Sequence, residues 1–483
     1  MAVRARIFAS AATALLLAGC SFAPAYRPAA TPTPAAFKED QPVPPAGWAA
    51  AAPQDMATRG AWWTVFADPV LDDLEARAER ASPTLAAAIS RYDAARAEVR
   101  EAKADLYPQV DASAQIRRER LSGDRPVALS GSAEYTQRLV GASARYELDL
   151  WGRIRNEVSA RGAEAQASRA DLGNVRLSLQ ADLADAYLRL RGLDAEKQLL
   201  ERTVVAYTRA RDLTQTRHDG GVANGLDVSR SRTILSSARA QLSDVANSRA
   251  ALEHQIAALI GELPSTFALA ADVKPFAPPI LPAAPPSELL QRRPDVAQAE
   301  RSAYAANRRI GVARAAWFPT LSLGAQGGYN SVRSDVISSP ASFWTLGPAM
   351  LVQTIFDGGR RAAQVRISRA EYETAAADYR GTVLTAFREA EDSLAGARLL
   401  AQASVDQRDA AEAAARTEQL ALIRYRDGAS DYLDVVTAQT AALDAERSAL
   451  QVQTRRMQAA VALVRAFGGD YRDGAPPAQP AQP

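Results

Sequence analysis

The sequence predicts a mainly α-helical chain with a smaller β part, arranged as two tandem repeats, each a β-hairpin followed by long coiled-coil helices. Three observations carry that reading. Arg153 to Arg217 and Arg360 to Arg426 are long, free of proline and rich in alanine. A heptad seam runs through the first: Val158, Ala165, Leu172, Leu179, Ala186, Leu193, Leu200 and Tyr207, with a second stripe at Val175, Leu183, Leu190 and Val204. The punctuation of the two segments agrees at a constant offset of 207: Gly152 with Gly359, Gly221 with Gly428, Leu226-Asp227 with Leu433-Asp434, Gly261 with Gly468.

At the start of the chain, Arg4 and Arg6 precede an apolar run from Ile7 to Leu17, the pattern of a secretory signal over residues 1–19. Leu17-Ala18-Gly19-Cys20 resembles a bacterial lipoprotein box, which implies lipid on Cys20. That cysteine is the only one, so no disulfide can form within the chain. Without the leader's two arginines, the 57 basic residues fall to 55 and balance the 55 acidic ones. There is no basic excess of the kind that nucleic-acid binding leaves. Residues 20–60, rich in Pro and Ala, read as a lipid-anchored extended tether.

The first repeat covers residues 61–262. Trp62-Trp63 reads as a packing anchor, and helices are expected over about 83–105, 153–217 and 226–260, with a hairpin over about 108–151. Val140 to Leu150 alternates: Val140, Ala142, Ala144, Tyr146, Leu148 and Leu150 against Gly141, Ser143, Arg145, Glu147 and Asp149. Val110 to Ile116 alternates too, with Asp111, Ser113 and Gln115 on one side. Period two over this length fits a membrane-crossing strand with one lipid face and one wet face. Residues 263–293 form a proline-rich linker.

The second repeat, 294–468, repeats the plan with helices over about 294–316, 360–426 and 433–466 and a hairpin over about 319–357. Its apolar strand positions read as Leu321, Leu323 and Ala325, then Trp344, Leu346, Met350 and Val352, with Pro348 weakening the last strand. Residues 469–483 are expected to be disordered. Four strands per chain are too few to close a barrel, and a sheet in lipid must close. The chain must therefore oligomerise; composition alone allows a dimer, trimer or tetramer. The turns after the long helices, Arg217 to Asp227 and Arg424 to Asp434, combine glycine C-caps with Asn224 and Asp431 as N-caps.

Trp-Trp followed by Phe66 and Asp68-Pro69, the lipobox, Tyr107-Pro108 and Phe318-Pro319, Leu148-Asp149-Leu150-Trp151-Gly152-Arg153 and both Gly-(x)4-Leu-Asp turns together resemble the outer-membrane factor family of tripartite efflux systems. The resemblance spans nearly the whole mature chain. It implies a homotrimer whose twelve strands form a β-barrel in the outer membrane, continuing into an α-helical periplasmic barrel. The partners implied are outer-membrane lipid, a periplasmic adaptor protein and an inner-membrane pump of the RND type. Drug efflux is the function implied; a type I protein secretion channel, or a lipid-anchored coiled-coil spacer that never inserts, are the alternatives. The family's adaptor-docking tips fall on Arg217, Gly221, Leu226, Arg424, Gly428 and Leu433. Its periplasmic gate falls on Asp227, Tyr425 and Asp434, with Asp227 and Tyr425 as a latch and Asp434 in an acidic ring. Ser430 stands where some members have an arginine in that latch, and Thr437 where a second acidic residue is common.

Two histidines, His218 and His254, give no catalytic or metal-binding pattern, so neither enzymatic activity nor a cofactor beyond the covalent lipid is expected.

Overall fold

The computed structural model describes residues 21–28, 30, 34, 36–39, 60–121, 134–274, 279, 292–332 and 342–469. The signal segment, Cys20, residues 275–278 and 280–291 of the linker, the loops holding Gly123, Ser130-Gly131-Ser132 and Ser338-Ser339-Pro340, and the tail beyond 469 lie outside them. After a short 3-10 turn at Trp62–Phe66, two prolines open helices α1 (Pro69–Ala81) and α2 (Pro83–Ala104), where a missing N–H goes unneeded. Strands β1 (Gln109–Arg120) and β2 (Glu134–Leu148) follow, then helices α3 (Arg153–Asp219) and α4 (Gly225–Leu259). The series resumes with α5 (Pro294–Ala315), β3 (Thr320–Ser331), β4 (Ser342–Val352), α6 (Arg360–Arg426) and α7 (Tyr432–Ala466). Helices α3 and α6 have 67 residues each, α4 and α7 have 35, and α2 and α5 have 22. Among the described residues no helix is long and apolar enough to cross a membrane.

Two compact units divide the chain. One comprises the described residues up to Ala30 and those within Arg91–Arg169 and Gln298–Arg380. It holds a four-stranded sheet in the order β1-β2-β3-β4, antiparallel throughout. The register sorts the side chains by chemistry. Val110, Ala112 and Ala114 lie opposite Ala144, Ala142 and Val140, which face Ala325, Gly327 and Tyr329 in turn. On the reverse face Asp111 lies opposite Ser143, which pairs with Gln326 and then Thr345.

The apolar positions expected on β4 need one correction. Leu323 pairs with Ala349 but Ala325 pairs with Leu346, so Gly347 and Pro348 together oppose Gly324. Such a bulge flips the side-chain alternation beyond it. Trp344 and Leu346 therefore share the apolar face with Ala349 and Leu351, while Met350 and Val352 turn to the polar face beside Ser322 and Thr320.

The strand-to-helix junctions explain the Leu-Asp-Leu-Trp-Gly-Arg segment. Glu147 receives two bonds of 2.9 Å from Arg153, and Asp149 accepts the backbone N–H of Arg155 at 2.9 Å, supplying the start of α3 with an acceptor. Asp357 does the same before α6, accepting from the backbones of Gly359 and Arg361 and from the Arg361 side chain at 2.7 Å. These bonds hold the Asp357 carboxyl below the usual carboxylate range, the Arg361 side chain foremost. Trp151 Nε1 donates to the Pro319 carbonyl at 2.7 Å and its ring stacks on Phe318. Phe22 stacks on Phe318 at 4.4 Å, and Tyr26 Oη donates to the Glu300 carbonyl. The described part of the N-terminal stretch is thus docked rather than a free tether. Its spaced aromatic residues give it surface to bury, which a Pro/Ala composition alone would not.

The other unit comprises the described residues within Thr31–Ser90, Ala170–Ala297 and from Gly381 onward. Its core joins Leu71, Leu74 and Leu85 with Leu179, Leu183, Tyr187 and Leu190 of α3, Ile256 of α4 and Met457, Val461 and Val464 of α7. Around Ala181 to Leu190 far more than one seam of α3 is buried, because α1 and Trp62 cover a second side. Arg191, buried in this layer, donates to Asp68 at 2.6 Å, to Tyr187 Oη at 3.0 Å and to the Asp272 carbonyl at 2.8 Å. Asp68 also caps α1 through the backbone N–H groups of Val70 and Leu71. One buried cation thereby ties together a helix start, the long helix and the beginning of the linker. Phe37 is buried here too, edge-on to Phe467.

Candidate functional site

The two turns that end the long helices lie within the second unit and are built alike. Gly221 and Gly428 both have φ of +75°, the left-handed conformation that ends a helix. Val222 N–H returns to the Arg217 carbonyl at 2.7 Å, and Ala429 N–H returns to the Arg424 carbonyl at 2.8 Å. The helix starts differ. Asn224 Oδ1 accepts from the Asp227 N–H at 2.9 Å, whereas Asp431, expected to cap α7 with its side chain, makes no such bond; its backbone carbonyl takes the Asp434 N–H instead.

The tip residues separate into two groups. Leu226 and Leu433 are 56% and 48% exposed, Val222 beside them is exposed, and no atom lies within 4 Å of where a Cβ would stand on Gly221 or Gly428. Arg424 is also exposed, its contact being a 3.4 Å bond back to the Ala429 carbonyl. These form an open apolar and cationic surface. Arg217 belongs elsewhere. Its Nη1 donates to the Tyr425 carbonyl at 2.8 Å and its guanidinium lies 4.6 Å from the Tyr425 ring centroid. Arg217 therefore clasps one turn to the other, which its place near a helix end did not disclose.

The expected bond between Asp227 and Tyr425 is not formed. Asp227 pairs with Arg230 at 3.5 Å, and the buried Tyr425 Oη has no hydrogen-bond partner, nor has Ser430 Oγ. The cause is geometric: Tyr425 turns its ring toward Arg217 and Tyr432, the latter 5.2 Å away, so its hydroxyl is directed into the packing. Burial raises the Tyr432 hydroxyl to about 12. A further tie, Tyr207 Oη to the Gln439 carbonyl at 2.9 Å, joins α3 to α7. Asp434 is exposed in the first turn of α7, where the helix dipole favours a negative charge.

The sheet is the second candidate surface. Trp344 and Leu346 are 82% and 83% exposed, Ile116 and Val110 are 76% and 70%, and Leu351 is exposed on the same face. No group of carboxylates, histidines or cysteines suited to a metal occurs among the described residues.

A family model described as outer membrane efflux protein matches residues 75–262 and 286–469. The chain is 31% identical to the probable efflux pump outer membrane protein TtgC of Pseudomonas putida KT2440 over 464 residues, covering 95% of each protein. It is 32% identical to the pyoverdine export outer membrane protein OpmQ of Pseudomonas aeruginosa PAO1, again over 95% of each. Among solved structures, the outer-membrane channel OprN superposes with a TM-score of 0.82 at 32% identity, covering 93% of this chain and 99% of that one. The chain belongs to the outer membrane efflux protein family. Its place is the bacterial outer membrane, and it serves there as the channel component of an efflux system.

Proposed function

We propose that the chain is a passive conduit of three copies. Each gives one four-stranded sheet to a closed twelve-stranded barrel, and the helices prolong the barrel as a periplasmic tunnel. The paired element lengths of the two halves support reading the chain as one unit used twice. The open apolar and cationic surface of Gly221, Leu226, Arg424, Gly428 and Leu433 receives a periplasmic adaptor, which joins the channel to an RND-type inner-membrane pump. Lipid on Cys20 anchors the chain, no catalytic residue or cofactor takes part, and the pump selects the small molecules carried.

The observation that carries this reading is the sheet. It exposes one apolar face, and among the described residues its outer strands β1 and β4 each pair along one edge only. Unpaired backbone groups are not tolerated in a bilayer, and an apolar face is not tolerated in water. Head-to-tail closure between copies removes the first fault, since β1 of one subunit can pair with β4 of the next, and a bilayer around the closed ring removes the second. The detergent-extracted protein is expected to have a trimeric mass that includes acyl chains on Cys20, and to conduct ions in a planar bilayer. A monomer with intact strand signal would reject the barrel, and a trimer without conductance would reject the conduit.

A further inference from the structure

The apolar face of the sheet ends in arginine. Along β2 it runs Leu148, Tyr146, Ala144, Ala142, Val140, and the next side chains on that face are Arg138, Thr136 and Glu134. Along β1 it runs Val110, Ala112, Ala114, Ile116, and the next are Arg118 and Arg120. Ile116 lies opposite Arg138, Arg118 opposite Thr136, and Arg120 opposite Glu134, so all three arginines project from one face beside the hairpin's loop end. Arg118 and Arg138 are diagonal neighbours, which on such a face lie about 7–8 Å apart, close enough for long side chains to converge on one group. Arg120 follows Arg118 two residues on along the same strand.

Among the described residues, that part of the face carries three arginines and one carboxylate. That carboxylate is Glu134, bound by Arg118 at 2.8 Å. Glu119, with its partners Arg117 and Tyr135, belongs to the opposite face. Among the described residues Arg138 donates to the Val332 carbonyl, at 3.4 Å.

The position is specific as well. From Leu148 to Val140 the apolar face extends about 27 Å along the strand at about 3.4 Å per residue. At the tilt usual for membrane barrels that is about 20 Å of height, most of an apolar band about 25 Å tall. Tyr329, opposite Val140, adds an aromatic ring at its upper limit. The arginines begin where the acyl chains would end and the headgroups start.

We infer that Arg118, Arg120 and Arg138 form a ledge that binds the phosphate groups of an outer-leaflet glycolipid. The ledge rests on the barrel reading above. Guanidinium forks match phosphate oxygens and hold them more strongly than a neutral donor can. A lipid is favoured over a free anion because Ile116 and Val140, directly below, would take its acyl chains.

The test uses the full-length protein, stripped of lipid in detergent and titrated with bis-phosphorylated lipid A under native mass spectrometry. Retained lipid is expected on the wild-type trimer. The R118Q/R120Q/R138Q variant should weaken that retention by about tenfold or more while keeping the trimeric mass. R117Q, on the opposite face, should bind as the wild type does. Dephosphorylated lipid A should be lost from the wild type, an arm that needs no folded variant. Equal retention of the two lipids, or unchanged binding by the triple variant, would overturn the ledge. Displacement by inorganic phosphate at equal concentration would assign the arginines to a free anion and overturn the lipid. A wild type that is monomeric throughout would instead sink the barrel and the ledge with it.

Discussion

Glu75 makes the packing of α1 sensitive to pH. Both its oxygens are buried without a hydrogen-bond partner; burial, then Glu79 and Asp72, raise the carboxyl from 4.5 to about 9. The folded chain therefore holds a proton that the unfolded chain releases between about pH 4.5 and pH 9. Stability falls as pH rises through that window and levels off above it. Glu75→Gln should flatten the profile and raise the thermal midpoint at pH 7 and pH 9, by about 2–4 °C per kcal/mol regained. Parallel melting profiles for the two proteins would exclude a buried titrating group. At the turns, Tyr425 is held through its ring and carbonyl, not its hydroxyl. Tyr425→Phe should thus leave resting conductance unchanged. Arg217→Gln, which loses the ring contact, should raise it, and Asp434→Ala should lower cation selectivity. An increase for Tyr425→Phe equal to that for Arg217→Gln would restore the Asp227 latch. None of this is legible in the sequence: Glu75 reads as an ordinary helix acid, and Arg217 meets Tyr425 only because two turns 208 residues apart lie side by side.

Among the elements, the turns were the most readable, since a glycine after a long periodic run has few other uses. The φ of +75° at Gly221 and Gly428, with open space around both, separates a backbone role from a docking role. Gly428→Ala should lower stability by about 1 kcal/mol, visible in thermal melting, with efflux retained. Gly428→Asn, which tolerates this conformation, should lose less. Gly428→Trp should abolish efflux while the trimer persists; full drug resistance with that variant would end the docking assignment. The strands were readable by their alternation up to Gly347-Pro348. There a two-for-one bulge reverses the faces, and a proline in the sequence marks an interruption without saying which side chains it turns over. The docked aromatics Phe22, Tyr26 and Phe37 were obscured by their surroundings, because proline-rich composition dominates any window that contains them.

For the whole molecule, a mainly helical chain with a small β part was plain from periodicity alone, and membership of the efflux family from motifs spread over both halves. What periodicity could not supply is the number of faces a helix buries. Leu179, Ala186 and Leu200 of the predicted seam are buried, but so are Ala184, Tyr187, Leu188 and Arg191, which lie on other sides of α3. A single stripe suffices when two helices meet, and a wider one is needed when a third element packs on top.

The two outer edges of the sheet also have a genetic consequence. A ring closed head to tail has as many joints as subunits, and one spoiled edge opens the whole ring. A β4 variant unable to pair, for example one carrying a second proline at Thr345, would therefore interfere with normal copies in the same cell. With equal synthesis of both, only about one ring in eight would consist wholly of normal subunits, if three copies combine at random. Drug resistance in such a strain should fall far below the half expected from a simple shortage of protein. Resistance near one half would mean that defective copies are excluded before the ring closes.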